Sequence, residues 1–199
     1  MKILIISISV IIGLFILFQS FTIISTKKAE EQKYTVVFPG KEFEIRYYPS
    51  ATLATVYSEA KTYKELSGPG FQKLAGYIFG GNESETKISM TSPVQMDIND
   101  TVSEMSFVMP SGYNLDNLPK PNNAKVIIHT TMDEYVAAIK FGGFASDKDI
   151  QNYSEKLKNL LIKKGIIYYG NFRFLGYNPP FQLVGRRNEI IVSVKWEKE

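Results

Sequence analysis

The sequence predicts an α+β fold in which two duplicated half-domains form a curved antiparallel sheet or a distorted antiparallel β-barrel with two amphipathic helices, preceded by an N-terminal membrane-anchor helix. Two observations support this prediction: an uncharged apolar run over residues 3–26, and an order of elements that recurs after a connecting loop. Both halves show strand, strand, helix, a strand with a proline irregularity, and a last strand. Ala54 precedes Pro93 by 39 residues, and Ala138 precedes Pro179 by 41.

The N-terminal run is long enough to cross a bilayer. Its 24 residues would span ~36 Å as a helix, against a hydrocarbon core of about 30 Å. A cleavable signal peptide and a buried core helix are the other interpretations. No good small-x-small cleavage site precedes Lys27, however, and the apolar region of a signal peptide usually has only about 7–15 residues.

We therefore expect an anchor or uncleaved signal over residues 1–26, a charged linker over 27–33 and a body over 34–199. Lys2 stands on one side of the run, and Lys27 and Lys28 stand on the other. This near balance of positive charge determines the orientation only weakly, and we favour the signal-anchor sense with the body exported.

Composition excludes several classes of function. The chain of 199 residues has no Cys and one His, so disulfides, thiolate metal sites and most His-based metal clusters are excluded. The net charge of +3 does not indicate a basic surface for binding nucleic acid. No nucleophile–base pair, Gly-rich phosphate loop or metal-ligand spacing is visible, so we expect a protein that is not an enzyme.

The first predicted repeat covers about residues 34–110. Strands are predicted over 34–38, 43–48 and 51–60 from their β-branched and aromatic residues. A helix follows, with a start signal at Ser67-Gly68-Pro69 and a stop at Gly80-Gly81. Its apolar face has the spacing i, i+3, i+4, i+7 and i+8 and consists of Phe71, Leu74, Ala75, Ile78 and Phe79.

The stretch 87–96 alternates apolar and polar residues around an interruption at Thr91-Ser92-Pro93. Alternation predicts a half-buried strand, and a proline without an N–H requires an edge or a bulge. A further strand over 105–109 ends this half.

The second predicted repeat covers about residues 124–196, after a loop rich in Pro, Asn and Asp. Strands are predicted over 124–130 and 135–141. Ser146 and Asp149 form a capping-box-like helix start, and Gly165 ends that helix. Strands over 172–177 and 189–194 complete this half. A groove between the halves is then the natural ligand site.

Four segments resemble the SOUL family of heme-binding proteins, in the family's order and over about residues 34–196. They are Phe43 to Pro49, Gly70 to Asn82, Lys87 to Val94, and Tyr177-Asn178-Pro179-Pro180-Phe181 followed by Arg186-Arg187-Asn188-Glu189. The resemblance implies a duplicated α+β distorted barrel, related to gyrase-inhibitor-like and drug-sensing effector domains. It also implies heme or another tetrapyrrole as the ligand.

Two functions follow as hypotheses. The first is a membrane-tethered, non-catalytic carrier, buffer or scavenger of heme. The second is a small-molecule sensor or interaction module of the effector-binding fold that does not use heme. A hemin titration distinguishes them, because only the first requires saturable binding.

Six residues are candidates for the cofactor site: His129, Met90, Met96, Phe71, Arg186 and Glu189. His129 is the only imidazole and hence the candidate iron ligand, although a partly buried strand residue is the plainer interpretation. The methionines and Phe71 would supply apolar surface, or simply fill the core. Arg186 is a candidate propionate partner. Glu189 is either a site carboxylate or the partner of a nearby arginine, and we favour the ion pair.

Overall fold

The computed structural model describes residues 2–197, with three helices and eleven strands in that range. In chain order they are α1 Lys2–Lys28, β1 Glu30–Glu31, β2 Thr35–Pro39, β3 Glu44–Tyr48, β4 Thr52–Ser58, α2 Tyr63–Ile78, β5 Thr91–Ser92, β6 Val94–Asp97, β7 Ser103–Val108, β8 Val126–Thr130, β9 Glu134–Phe141, α3 Asp147–Lys164, β10 Tyr168–Gly176 and β11 Asn188–Val194. The mixed α+β class is therefore as predicted.

Nine strands form one antiparallel sheet in the order β2-β3-β9-β11-β10-β6-β7-β4-β8. The sheet is open, because β2 pairs only with β3 and β8 pairs only with β4 among the described residues. The predicted distorted barrel is therefore wrong, because the antiparallel sheet does not close on itself. Edge strand β2 contains a register shift between Val36 and Phe38 and ends at Pro39, which has no N–H to give a further strand.

The strand order is symmetric between the two predicted repeats. The order of eight strands is reversed when each strand of one half is exchanged with its counterpart in the other half. The counterparts are β3 and β8, β4 and β9, β6 and β10, and β7 and β11. β6 and β10 consequently lie side by side at the centre of the sheet. This is the order that duplicated halves would produce, and the duplication itself stays a prediction.

Helices α2 and α3 cover one face of the sheet. α2 packs on β4 and β7, and α3 packs on β9 and β11. Leu66 and Leu74 of α2, and Leu157 and Leu161 of α3, are fully buried in the core between these layers. Truncating such a leucine to alanine typically costs about 2–5 kcal/mol, so this core holds the two halves in place.

Helix α2 begins at Tyr63, four residues before the predicted start signal. Thr62 caps it by accepting a hydrogen bond from the Glu65 N–H, and Glu65 in turn accepts one from the Lys61 N–H. Pro69 lies inside the helix. The Thr62-x-x-Glu65 pattern is the signal that locates this start. Pro69 is the seventh residue of the helix and has no N–H to donate to the carbonyl four residues earlier.

The stretch 87–96 forms two short strands separated by Pro93, with a cis peptide bond between Ser92 and Pro93. β5 pairs in parallel with β1, which lies in the segment expected to be a linker. β6 enters the centre of the main sheet. The chain between α1 and the body is thus tied to this stretch by backbone hydrogen bonds.

Helix α3 is capped at both ends as predicted. Ser146 and Asp149 form a complete capping box, and Gly165 ends the helix in the left-handed conformation with φ of 69°. We expect Gly165→Ala to destabilise the protein by about 1 kcal/mol, because alanine is strained there. Thermal unfolding followed by circular dichroism in detergent micelles measures the change.

Gly76→Ala is the matched control, since Gly76 lies on the exposed face of α2 and an added methyl group would meet no atom within 4 Å. It should stabilise the protein by up to about 1 kcal/mol through helix propensity. Equal effects from the two substitutions would contradict this account of the α3 terminus.

Candidate functional site

A groove with a volume of about 450 Å³ lies where the two halves meet, on the helix-covered side of the central strands. Both halves contribute to it. The lining residues are Lys61, Thr62, Met96, Ile98, Asp147, Ile150, Gln151, Ser154, Gly170, Asn171, Phe172 and Phe174. This volume falls within the range of about 300–1,000 Å³ that is usual for small-molecule sites.

The floor of the groove is apolar because of the pairing of β6 with β10. Met96 lies directly opposite Phe174 in this pair, and both side chains are buried. Side chains alternate along a strand, so Phe172 points to the same side as Phe174. Ile98 and Ile150 extend the apolar surface.

The first two turns of α3 form one wall. Asp147, Ile150, Gln151 and Ser154 have the spacing i, i+3, i+4 and i+7, so they share one helical face. The capping box at Ser146 fixes the start of this helix. The opposite wall is the segment that leads into α2, at Lys61 and Thr62.

The rim carries both signs of charge. Lys61 is exposed and is the one cation among the lining residues. Asp147 accepts a hydrogen bond of 2.5 Å from the Tyr63 N–H, so its carboxylate also ties α3 to α2. Burial raises the pKa of the neighbouring Tyr63 hydroxyl, which therefore stays protonated at neutral pH.

These residues fit a tetrapyrrole in their chemistry. A macrocycle needs an apolar slot, which Met96, Phe172 and Phe174 provide, and its propionates need a cation, which Lys61 provides. No imidazole is among the lining residues, and no three His, Cys, Asp or Glu side chains gather as a metal site in residues 2–197.

The structure brings only one of the six candidate residues into the groove, namely Met96. Met90 and Phe71 are partly buried and pack against the main core, where the Phe71 ring meets the Phe107 ring edge-on at 5.3 Å between centroids. Alternation along the strands did not show which apolar residues line the groove, because core and groove share one side of the sheet.

His129 lies on the opposite side of the sheet from Met96. It pairs with Leu53 across β8 and β4, and its Nε2 is 2.9 Å from the Thr55 hydroxyl. That hydroxyl is fully buried and also contacts Ser106 Oγ at 2.7 Å. The structure therefore does not bring the only imidazole together with the groove.

We expect His129→Ala to leave the Soret band and the affinity of the hemin complex unchanged if hemin occupies the groove. The measurement is an absorbance titration of both proteins with hemin. A shifted Soret band would instead identify His129 as an iron ligand and place the ligand on the other side of the sheet.

Glu189 lies in a buried cluster on the side of the sheet away from the helices. Arg46 donates to both of its carboxylate oxygens, at 2.6 and 3.1 Å, and Arg187 donates at 3.0 Å. The Tyr177 hydroxyl donates at 2.9 Å. Arg46 and Glu189 are fully buried, and we call these four residues the Arg46–Glu189 cluster.

The pKa shifts in this cluster follow from burial and charge. Burial alone would lower the pKa of Arg46, but its hydrogen bonds and attraction to Glu189 outweigh burial and raise that pKa above its ordinary value. Burial, reinforced by the charge of Glu189, raises the pKa of Tyr177. Burial raises the pKa of the adjacent Tyr48 to about 12. Burial would also lower the pKa of Arg187, but its attraction to Tyr177 and Glu189 outweighs burial and raises that pKa, so both arginines of the cluster are charged at neutral pH.

Arg186 lies in the loop after β10 and does not line the groove. Its guanidinium donates to the carbonyls of Asn178, Pro179 and Gln182 and stacks over the Phe144 ring at 4.4 Å. Burial lowers the pKa of Arg186. None of the ion pairs in the described part of the chain includes it.

The groove residues that sequence reasoning missed come mainly from the second half. Phe172 and Phe174 alternate on a predicted strand, and Ile150 is the first apolar residue after the predicted helix start at Ser146 and Asp149. Nothing in the sequence aligned Phe174 with Met96, which lies 78 residues earlier. The predicted symmetry of the two halves was the one signal that could have paired these strands.

Comparisons with known proteins identify relatives of the body. The model of the SOUL heme-binding protein family matches residues 29–193, which excludes α1. "Heme-binding protein 2" of Mus musculus is 32% identical over 167 residues, covering 80% of this chain and 80% of that protein. "Heme-binding protein 1" of Xenopus laevis is 30% identical over 159 residues, covering 76% and 83%.

A solved structure shares the fold at low identity. The crystal structure of the EcmrR C-terminal domain has a TM-score of 0.58 and 10% identity, and the match covers 82% of this chain and 99% of that one.

Proposed function

This chain belongs to the SOUL heme-binding protein family, and we propose that it binds heme or a related tetrapyrrole without catalysing a reaction. Its role is then that of a carrier, buffer or scavenger. The observation that carries the proposal is the groove between the halves, which has an apolar floor and a cation on its rim.

In this proposal the floor residues Met96, Phe172 and Phe174 contact the macrocycle, and Ile150 closes one side. Lys61 interacts with the propionates. When bound, the cofactor supplies an iron centre and a strong visible absorption. The protein supplies apolar burial that excludes water from the macrocycle.

We further propose that α1 tethers the body to a membrane. Residues Ile5–Thr26 form a helix that is long and apolar enough to cross a bilayer, and a signal sequence near the N-terminus would pass the same test of length and composition. Residues 1–26 then form the anchor, 27–33 the connection and 34–199 an exported ligand-binding body built from repeats at about 34–110 and 124–196.

A hemin titration of the full chain in detergent micelles tests the binding proposal. We expect saturable one-to-one binding with a Kd below about 1 µM, which corresponds to more than about 8 kcal/mol. Empty micelles at the same detergent concentration control for partition of hemin into detergent. Weak binding that does not saturate would overturn the heme proposal.

A second candidate function is the sensing of another small apolar molecule in the same groove. The mixed rim, with Lys61 on one wall and Asp147 on the other, favours it because such a rim suits cationic as well as anionic ligands. Displacement of a bound apolar fluorophore by hemin alone, and not by apolar cations, would exclude this candidate.

A further inference from the structure

The loop between β10 and β11 contacts α1 and exposes apolar side chains beside it. Phe181, Leu183 and Val184 are 53%, 48% and 61% exposed. Phe144, whose ring lies under the Arg186 guanidinium, is 55% exposed. We call residues 178–186 the membrane-proximal loop.

Helix α1 makes specific contacts with this loop. Gln19 donates from Nε2 to the Phe181 carbonyl at 3.1 Å, and its Oε1 accepts from the Leu183 N–H at 3.0 Å. The Thr26 hydroxyl donates to Gln182 Oε1 at 2.9 Å. The rings of Phe18 and Phe181 lie 6.1 Å apart.

These contacts set the depth of the loop. Gln19 lies seven residues before Thr26, where the apolar span ends, and seven helical residues measure ~10 Å. Since each headgroup region is only about 5–8 Å thick, a helix that crosses the bilayer brings Phe181 to the level of the acyl chains.

Several backbone carbonyls of the loop accept hydrogen bonds from side chains of the loop or of α1, whereas Arg186 Nε is buried without a hydrogen-bond partner among the described residues. Arg186 hydrogen-bonds three loop carbonyls, Gln19 bonds the carbonyl of Phe181, and the Gln182 side chain bonds that of Val184. Pro179 and Pro180 have no N–H to satisfy. Irregular backbone is tolerated at membrane depth only when its polar groups have such partners.

From these observations we infer that the membrane-proximal loop inserts its apolar side chains into the bilayer leaflet next to α1. This inference rests on the proposed tethering of α1. The exposed apolar side chains of the loop continue the apolar surface of α1, and both contact the acyl chains of phospholipids. The body is then held against the membrane in one orientation instead of hanging from a flexible linker.

Gln19 explains how the helix and the loop are joined. An amide side chain within an apolar span is costly unless both its donor and its acceptor are satisfied. Both are satisfied by loop backbone, and Gln19 and Thr22 are buried while the apolar residues around them are exposed.

The chain has no Cys, so single cysteines allow unique labelling with an environment-sensitive fluorophore. The full chain is reconstituted in phosphatidylcholine vesicles, with or without lipid that carries a nitroxide near the start of its acyl chain. Labels are placed at Val184→Cys and Leu183→Cys in the loop. Phe15→Cys reports on α1. Met132→Cys lies in the connection before β9, at the other end of that strand from Phe144.

We expect the nitroxide lipid to quench both loop labels several-fold more than the Met132→Cys label. Quenching at Phe15→Cys without quenching at either loop position would overturn the inference while leaving the tether intact. Quenching of the loop labels by iodide in the water phase would also overturn the inference. The exposed apolar side chains would then form a binding surface for a protein partner. Absence of quenching at Phe15→Cys would refute the tether itself. No hemin is present, so failure of heme binding is separate from all three outcomes.

Discussion

Arg46→Met is expected to lower the free energy of unfolding by about 3 kcal/mol, because it leaves the buried Glu189 carboxylate with less compensation. Arg46 supplies two of the hydrogen bonds to that carboxylate and also contacts Glu44 and Tyr48. Arg187 and Tyr177 stay in place, so the loss should lie near the lower end of the usual range for a broken buried pair.

Thermal unfolding of the full chain in detergent micelles measures the effect. For a protein of this size, about 3 kcal/mol corresponds to a fall in Tm of roughly 10 °C. Lys140→Met is the matched control, since Lys140 is about half exposed and forms an ion pair with Glu44 at 3.0 Å. It should change stability by less than about 1 kcal/mol.

A double variant separates ion pairing from packing. Arg46→Met with Glu189→Leu removes both buried charges, and apolar replacement of a buried pair is often close to neutral. The double variant should therefore be more stable than Arg46→Met alone. If the single variant unfolds at the same temperature as Lys140→Met, the hydrogen bonds between Arg46 and Glu189 do not stabilise the fold.

Ser154→Trp is expected to weaken hemin binding at least tenfold, which is about 1.4 kcal/mol of binding free energy. Ser154 faces the groove from α3, and an indole at this position would occupy space above Met96 and Phe174. The buried face of α3 at Leu157 and Leu161 is unchanged, so the helix should remain packed.

Asn152→Trp is the control for this substitution. Asn152 is exposed on the same helix and lies about 200° around it from Ser154, outside the groove. It should leave the hemin Kd unchanged, as measured by absorbance titration in the same micelles. Equal affinity in the two variants would show that hemin binds elsewhere on the protein.

Local features of the fold could be predicted because their causes lie within a few residues. The cap at Ser146 and Asp149 and the end of α3 at Gly165 depend only on neighbouring backbone groups. The start of α2 is equally local, but Thr62 and Glu65 mark it, while the more conspicuous Ser67-Gly68-Pro69 lies within the helix. Pro69 therefore misleads as a start signal, because it lies at the seventh position of the helix.

The sequence predicts a groove between the two halves but not the residues that line the groove found in the structure. A groove between two halves follows from the repeated order of elements, and the structure has one there. Of the six proposed residues only Met96 lines it. Each strand pattern shows which side chains share a face, and it cannot show which face a distant element will cover.

By itself, the sequence determined the α+β class, the apolar N-terminal helix, the caps of α3 and membership of a heme-binding family. Only the tertiary structure decided that the sheet stays open, that Glu189 pairs with Arg46 and that His129 faces away from the groove. It also joined Gln19 to a loop more than 160 residues later. The physical reason is the same in each case. Caps and helical or strand periodicity depend on residues that are close in sequence. Buried ion pairs and groove walls depend on strands that meet only when the whole sheet has formed.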